Sequence, residues 1–93
     1  MIEIKRSQPS KLQASYRAAY DFHLRHNPPR VDTAYWRTHT PGIDDPPQAE
    51  LDYWQEVAED AARISEGNPF LSALVSAVIG ELEREYNSAR PQK

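Results

Sequence analysis

Apolar positions recur at helical spacing in three stretches of the chain, and the pairs Pro28-Pro29 and Pro46-Pro47 separate them. Ahead of the first stretch, Ile2 and Ile4 alternate with Glu3 and Lys5, the period of a strand or extended arm over residues 1–9. In the first stretch Leu12, Tyr16, Ala19, Tyr20 and His23 recur every three or four residues and predict one apolar helix face over 10–27. Ser10 with Gln13 forms a capping box at its start, and Asn27 before Pro28 ends it. The second helix is predicted over 46–66, with Asp45 as cap, Pro46 at the first position and Gln48 completing the box. Its apolar face is read as Leu51, Trp54, Val57, Ala58, Ala61, Ala62 and Ile64, with Asp52, Glu56, Glu59, Asp60 and Arg63 opposite. Gly67 supplies the left-handed stop, and Asn68-Pro69 starts a third helix over 69–88 at once. Phe70, Leu71, Leu74, Val75, Val78, Leu82 and Tyr86 form its stripe.

These elements predict one mainly α domain over residues 1–93. It is a small helical bundle with a C-terminal antiparallel helical hairpin, because so short a link leaves few other arrangements, and a short N-terminal extended segment. The expected core is Leu12, Tyr16, Tyr20, Trp54, Val57, Ala61, Leu71, Leu74, Val78 and Leu82. The connector 28–45 stays open between strand, short helix and loop. Val31, Thr33, Tyr35 and Trp36 suit a strand, yet Asp32 can cap a single turn through Trp36.

Composition narrows the function. Leu, Ile, Val and Phe together number 17 of 93 residues, so the core is small and nine aromatics and eleven alanines must supplement it. With no cysteine there is no disulfide framework, thiolate metal site or thiol nucleophile. Three isolated glycines cannot build a phosphate-cradling loop. No apolar run approaches the ~20 residues of a membrane span, and the first six residues lack the pattern of a secretory signal, so a cytoplasmic protein is expected.

Charge is uneven. Residues 1–40 carry +4 and residues 41–93 carry −7, giving the net −3. The basic part, with Lys5, Arg6, Lys11, Arg17, Arg25, Arg30 and Arg37 among aromatics, has the residue types of a nucleic-acid contact, but the overall balance is acidic. His23 and His26 are three apart on one helix, the spacing of a two-imidazole metal site, with His39, Asp44 or Asp45 as a third ligand. A hydrogen-bonded core histidine at His23 is the simpler role, and no metal and no cofactor is expected. The carboxylates Glu56, Glu59 and Asp60, and Glu81 with Glu85, read as solvated faces, and no nucleophile motif is present, so the chain is read as non-enzymatic.

Two features point to interaction. Tyr35 and Trp36 are aromatic anchors in a long connector, beside an acidic face of Asp52, Glu56, Glu59 and Asp60, and together they are the expected contact surface for a protein partner. Ala73, Ser76, Ala77 and Gly80 form a small-residue strip on the third helix that suits close approach of another backbone, either the first helix or a second subunit of a homodimer.

The run Asp52-Tyr53-Trp54, Asp60, Asn68-Pro69-Phe70, Leu74, Ala77-Val78 and Glu81 to Tyr86 resembles small phage and prophage accessory proteins of unassigned function, over residues 52–86. That resemblance implies no catalytic residues. It implies a small effector that binds a host macromolecule stoichiometrically, such as an inhibitor of a defence system. Nucleic-acid binding through the basic part is the alternative.

Overall fold

The computed structural model describes residues 11–91, and the Ile2/Ile4 arm and the Ser10 cap lie outside them. Four helices follow in order: α1 Lys11–His26, α2 Thr33–Thr38, α3 Gln48–Ser65 and α4 Pro69–Ala89. No strand occurs among the described residues. The connector left open by the sequence forms α2, with Asp32 Oδ1 accepting from the Tyr35 amide at 3.0 Å.

α3 and α4 form the antiparallel hairpin expected of the short link. Gly67 takes φ +71°, the left-handed turn that glycine allows without Cβ strain. Asn68 then caps α4, its side-chain oxygen accepting from the Leu71 amide at 3.0 Å, with Pro69 at the first turn. At the far end of the hairpin, Trp54 meets Tyr86 edge to face at 5.4 Å. α1 runs alongside α4: Asn68 Nδ2 donates to Ser15 Oγ at 3.1 Å and Phe70 meets Tyr16 edge to face at 5.5 Å.

The start of α3 departs from the reading above. Its cap is Pro47, with no side-chain hydrogen bond, and not Asp45. Pro47 holds Pro46 out of the helical region, so helical geometry begins only at Gln48, whose amide side chain bonds Asp52 at 2.8 Å. The Asp45 carbonyl instead accepts from the Tyr35 hydroxyl.

The core is Ala19, Phe22, Val57, Leu71 and Val75, with Trp54, Ala61, Ile64, Leu74 and Val78 packed on it. Leu82, also expected in the core, has no exposed surface, but three expected core residues are not buried: Leu12, Tyr16 and Tyr20 are each more than half exposed. α1 is rotated so that Ser15, Ala19, Phe22 and His26 face inward. The reason is physical. Phe22 is the largest apolar side chain that this turn offers, small Ser15 and Ala19 let α4 approach closely, and His26 finds a carboxylate across the bundle. α3 is rotated likewise: Leu51, Ala58 and Ala62 are exposed, while Glu50 and Asp60 are buried.

Candidate functional site

Glu50 is the most deeply buried charged residue, with no exposed surface. All its partners donate. Trp36 Nε1 lies 3.1 and 2.9 Å from its two oxygens, the Asp32 amide 2.7 Å from Oε2, and the Tyr86 hydroxyl bonds Oε1. Three segments therefore converge on one acceptor: the entry to α2, α2 itself and the end of α4. Burial first, and then the hydrogen bond to Glu50, push the Tyr86 hydroxyl above the ordinary phenol range. The Arg90 guanidinium lies over the rings of both Tyr86, at 4.4 Å, and Trp36, at 5.0 Å, a cation–π stack on the outside of the cluster. This hub clamps the connector to the bundle.

Asp60 is the second carboxylate on the inner side of α3. Its Oδ2 accepts from His26 Nε2 at 2.8 Å and from Arg25 at 2.9 and 3.1 Å, and Arg63 pairs with Oδ1. Burial alone would raise its pKa. The hydrogen bonds from His26 and Arg25 and the charges of Arg25 and Arg63 outweigh that and hold it below the usual carboxylate range. Tyr53 donates to the His26 carbonyl, satisfying an acceptor that the end of α1 leaves unpaired. Burial pushes the Tyr53 hydroxyl up to about 12, with a smaller contribution from the Glu85 charge. Glu56 and Glu59 complete an open groove here.

These two clusters relocate several residues singled out above. Trp36 has no exposed surface and cannot anchor a partner, because its indole N–H is committed to Glu50. Tyr35 is half-buried and stacks on His39 with ring centroids 3.8 Å apart. Asp60 belongs to an internal ion cluster, whereas Asp52, Glu56 and Glu59 remain exposed on the outer side of α3. The core histidine is His26, not His23, which is half-buried beside Tyr20 and Glu81. Among the described residues, no three His, Cys, Asp or Glu side chains are grouped to hold a metal ion. No described helix is long and apolar enough to cross a membrane.

Among the described residues, nothing packs closely on the strip of α4, although Gly80 is half-buried. Ala73, Ser76 and Ala77 are exposed, and a Cβ on Gly80 would meet no atom within 4 Å. Neither α1 nor any other described segment makes the close approach that the strip suggested.

The exposed apolar surface gathers elsewhere. Leu12, Tyr16, Tyr20 and Leu24 stand at 53, 57, 59 and 53% exposure, each one turn beyond the last, as a single ridge along α1. Beside it, Ala19, Tyr20, His23, Val78 and Glu81 line a shallow, mostly apolar groove of about 220 Å³ between α1 and α4. Sequence spacing found three of these residues but assigned them to the core, and it missed Leu24, which continues the same four-residue interval.

Compared with protein-family models, curated proteins and solved structures, the chain matches none.

Proposed function

We propose that the chain is a small non-catalytic binding protein that acts stoichiometrically, with the outward ridge of α1 as its protein-contact surface. The observation that carries this reading is the ridge itself. Four large side chains, two of them tyrosine, line one face of one helix, each more than half exposed. Contiguous apolar surface of this kind marks interaction sites, and tyrosine is among the residues enriched at interface centres. The exposed acidic side of α3, Asp52, Glu56 and Glu59, is a second surface of one sign, suited to steering a basic partner. It is the surface from which an inhibitor of a host macromolecule, the role that the phage-protein resemblance implies, would work.

The same geometry weakens the nucleic-acid alternative. Arg25 and Arg63 are paired with Asp60, Arg17 with Asp21 and Arg84 with Glu81, and Arg90 is stacked on aromatic rings. Of the aromatics of the basic part, Trp36 and Tyr35 are engaged internally, whereas Tyr16 and Tyr20 are exposed, as are Arg30 and Arg37.

A tagged chain, incubated with lysate of the cells that encode it, tests the proposal against the double variant Tyr16→Glu/Tyr20→Glu. The wild type should retain a protein, either another copy of itself or a different one, that the variant releases. Identical sets on both baits would refute the ridge as contact surface. Micromolar binding to unrelated DNA or RNA that collapses between low and physiological salt would favour the alternative.

A further inference from the structure

We infer that the ridge on α1 is a self-pairing surface, occupied by the same ridge of a second copy running antiparallel across a two-fold axis. This rests on the reading of the ridge as a protein-docking surface and goes on to name the occupant.

The order of residues along the ridge is its own reverse: Leu12, Tyr16, Tyr20, Leu24. A two-fold interface must present one patch to itself, so that residue i meets j and j meets i. With the axis midway between Tyr16 and Tyr20, Leu12 falls opposite Leu24 of the other copy and Tyr16 opposite Tyr20. Every ridge residue then meets one of its own kind. The four-residue interval keeps all four side chains on one row of the helix surface, so a single partner helix can reach them.

Beside the ridge, Arg17 and Asp21 are 3.7 Å apart and neutral as a pair, and Arg25, which this register sets opposite Lys11 of the other copy, is held by Asp60. On the inner side, Phe70 backs Tyr16 and the α1/α4 groove extends the apolar surface past Tyr20.

The area sets the strength. An aromatic side chain buries about 150–250 Å² when covered, so two tyrosines more than half exposed leave roughly 200 Å² per copy. With the leucines and the groove, each copy offers on the order of 400 Å², below the ~800 Å² per partner of a standard interface. The dimer is therefore a weak one, no tighter than about 1 μM.

Sedimentation equilibrium between about 10 and 500 μM, on the weak side of that bound, tests the pairing. The wild-type mass should rise from 10.7 kDa toward twice that value. Tyr16→Lys alone and Tyr20→Glu alone should each stay at the single-chain mass with an unchanged helical circular dichroism spectrum, since both positions are solvent-facing. An equimolar mixture of the two should recover the two-chain species, because position 16 of one chain lies opposite position 20 of the other. Leu24→Lys, at the end of the ridge, gives the same loss independently. Wild-type protein that stays at the single-chain mass at about 500 μM overturns the second copy as occupant. A mixture that stays monomeric although the wild type dimerises overturns the antiparallel register. If the chain is monomeric and yet a lysate protein is released by Tyr16→Glu/Tyr20→Glu, the second copy fails and the docking surface stands. If neither is seen, both fall.

Discussion

Glu50 and Asp60 lie ten residues apart on the inner side of the same helix, and the protein stabilises their charges in opposite ways. Glu50 has no exposed surface and is held by neutral donors: an indole, a phenol and a backbone amide. Asp60 sits at the rim, 8% exposed, and is held by two arginines and a histidine. Neutral donors fix a carboxylate by geometry, and salt screens such hydrogen bonds little. Cations fix it by charge, and here Arg25 and Arg63 are themselves 46 and 71% exposed, so solvent and salt weaken the attraction. One site is a structural rivet and the other an adjustable clasp.

The comparison breaks most severely at Trp36. Trp36→Ala removes the largest fully buried side chain and one of the three donors to Glu50, and a cost of about 3–5 kcal/mol is expected in urea unfolding at any salt concentration. Glu50→Gln is nearly isosteric but turns an NH₂ group toward donors, and should cost about 1–3 kcal/mol, again insensitive to salt. A salt-dependent loss there would erase the distinction between the two sites.

Asp60→Asn should cost less, about 1–2 kcal/mol, because the cations that it abandons reach solvent. Its signature is in pH. The folded Asp60 carboxyl lies below its ordinary value, so its contribution is present above the usual carboxylate range and is lost as pH falls through the folded value. The wild type should therefore lose urea midpoint as pH falls below the usual carboxylate range, and Asp60→Asn should flatten that limb. Tyr53 works at the other end. Its hydroxyl is raised to about 12, so the folded state loses stability as pH rises from about 10, the unfolded phenol value, through that point. Phenolate absorbance should show more than one tyrosine titrating late, and Tyr53→Phe should remove one of them and leave Tyr86. The smallest effect belongs to Arg90→Ala, about 0.5–1 kcal/mol from the lost stack on Trp36 and Tyr86.

Helix positions were legible because proline, glycine and cap residues act locally. Asn68-Pro69 and Gly67 place the α3–α4 turn, and Asp32 caps α2, without reference to the rest of the chain. Which face turns inward was less legible. Apolar spacing alone put Leu12, Tyr16 and Tyr20 in the core and Asp60 in water, yet the buried sides of α1 and α3 carry Ser15, His26, Glu50 and Asp60. Each is affordable inside only through a partner far away in sequence: Asn68 for Ser15, Asp60 for His26, Tyr86 for Glu50. Periodicity within one helix does not register such pairs. One signal was present, since Glu50 lies four residues before Trp54 and seven before Val57, an acid in line with an apolar stripe. The ridge follows from the same rotation: the face withdrawn from the core is the face presented outward.

The convergence at Glu50 has a consequence for how the molecule breathes. The Asp32 amide proton and the Trp36 indole proton lie four residues apart in a connector with a single six-residue helix, where independent fraying is the ordinary expectation. Both are bound to one carboxylate, so neither reaches water until that carboxylate lets go, and letting go also frees the Tyr86 hydroxyl. The connector therefore opens as one unit together with the last turns of α4. In heavy water the two protons should exchange at a common rate, and that shared clock would time the detachment of the connector separately from the unfolding of the bundle.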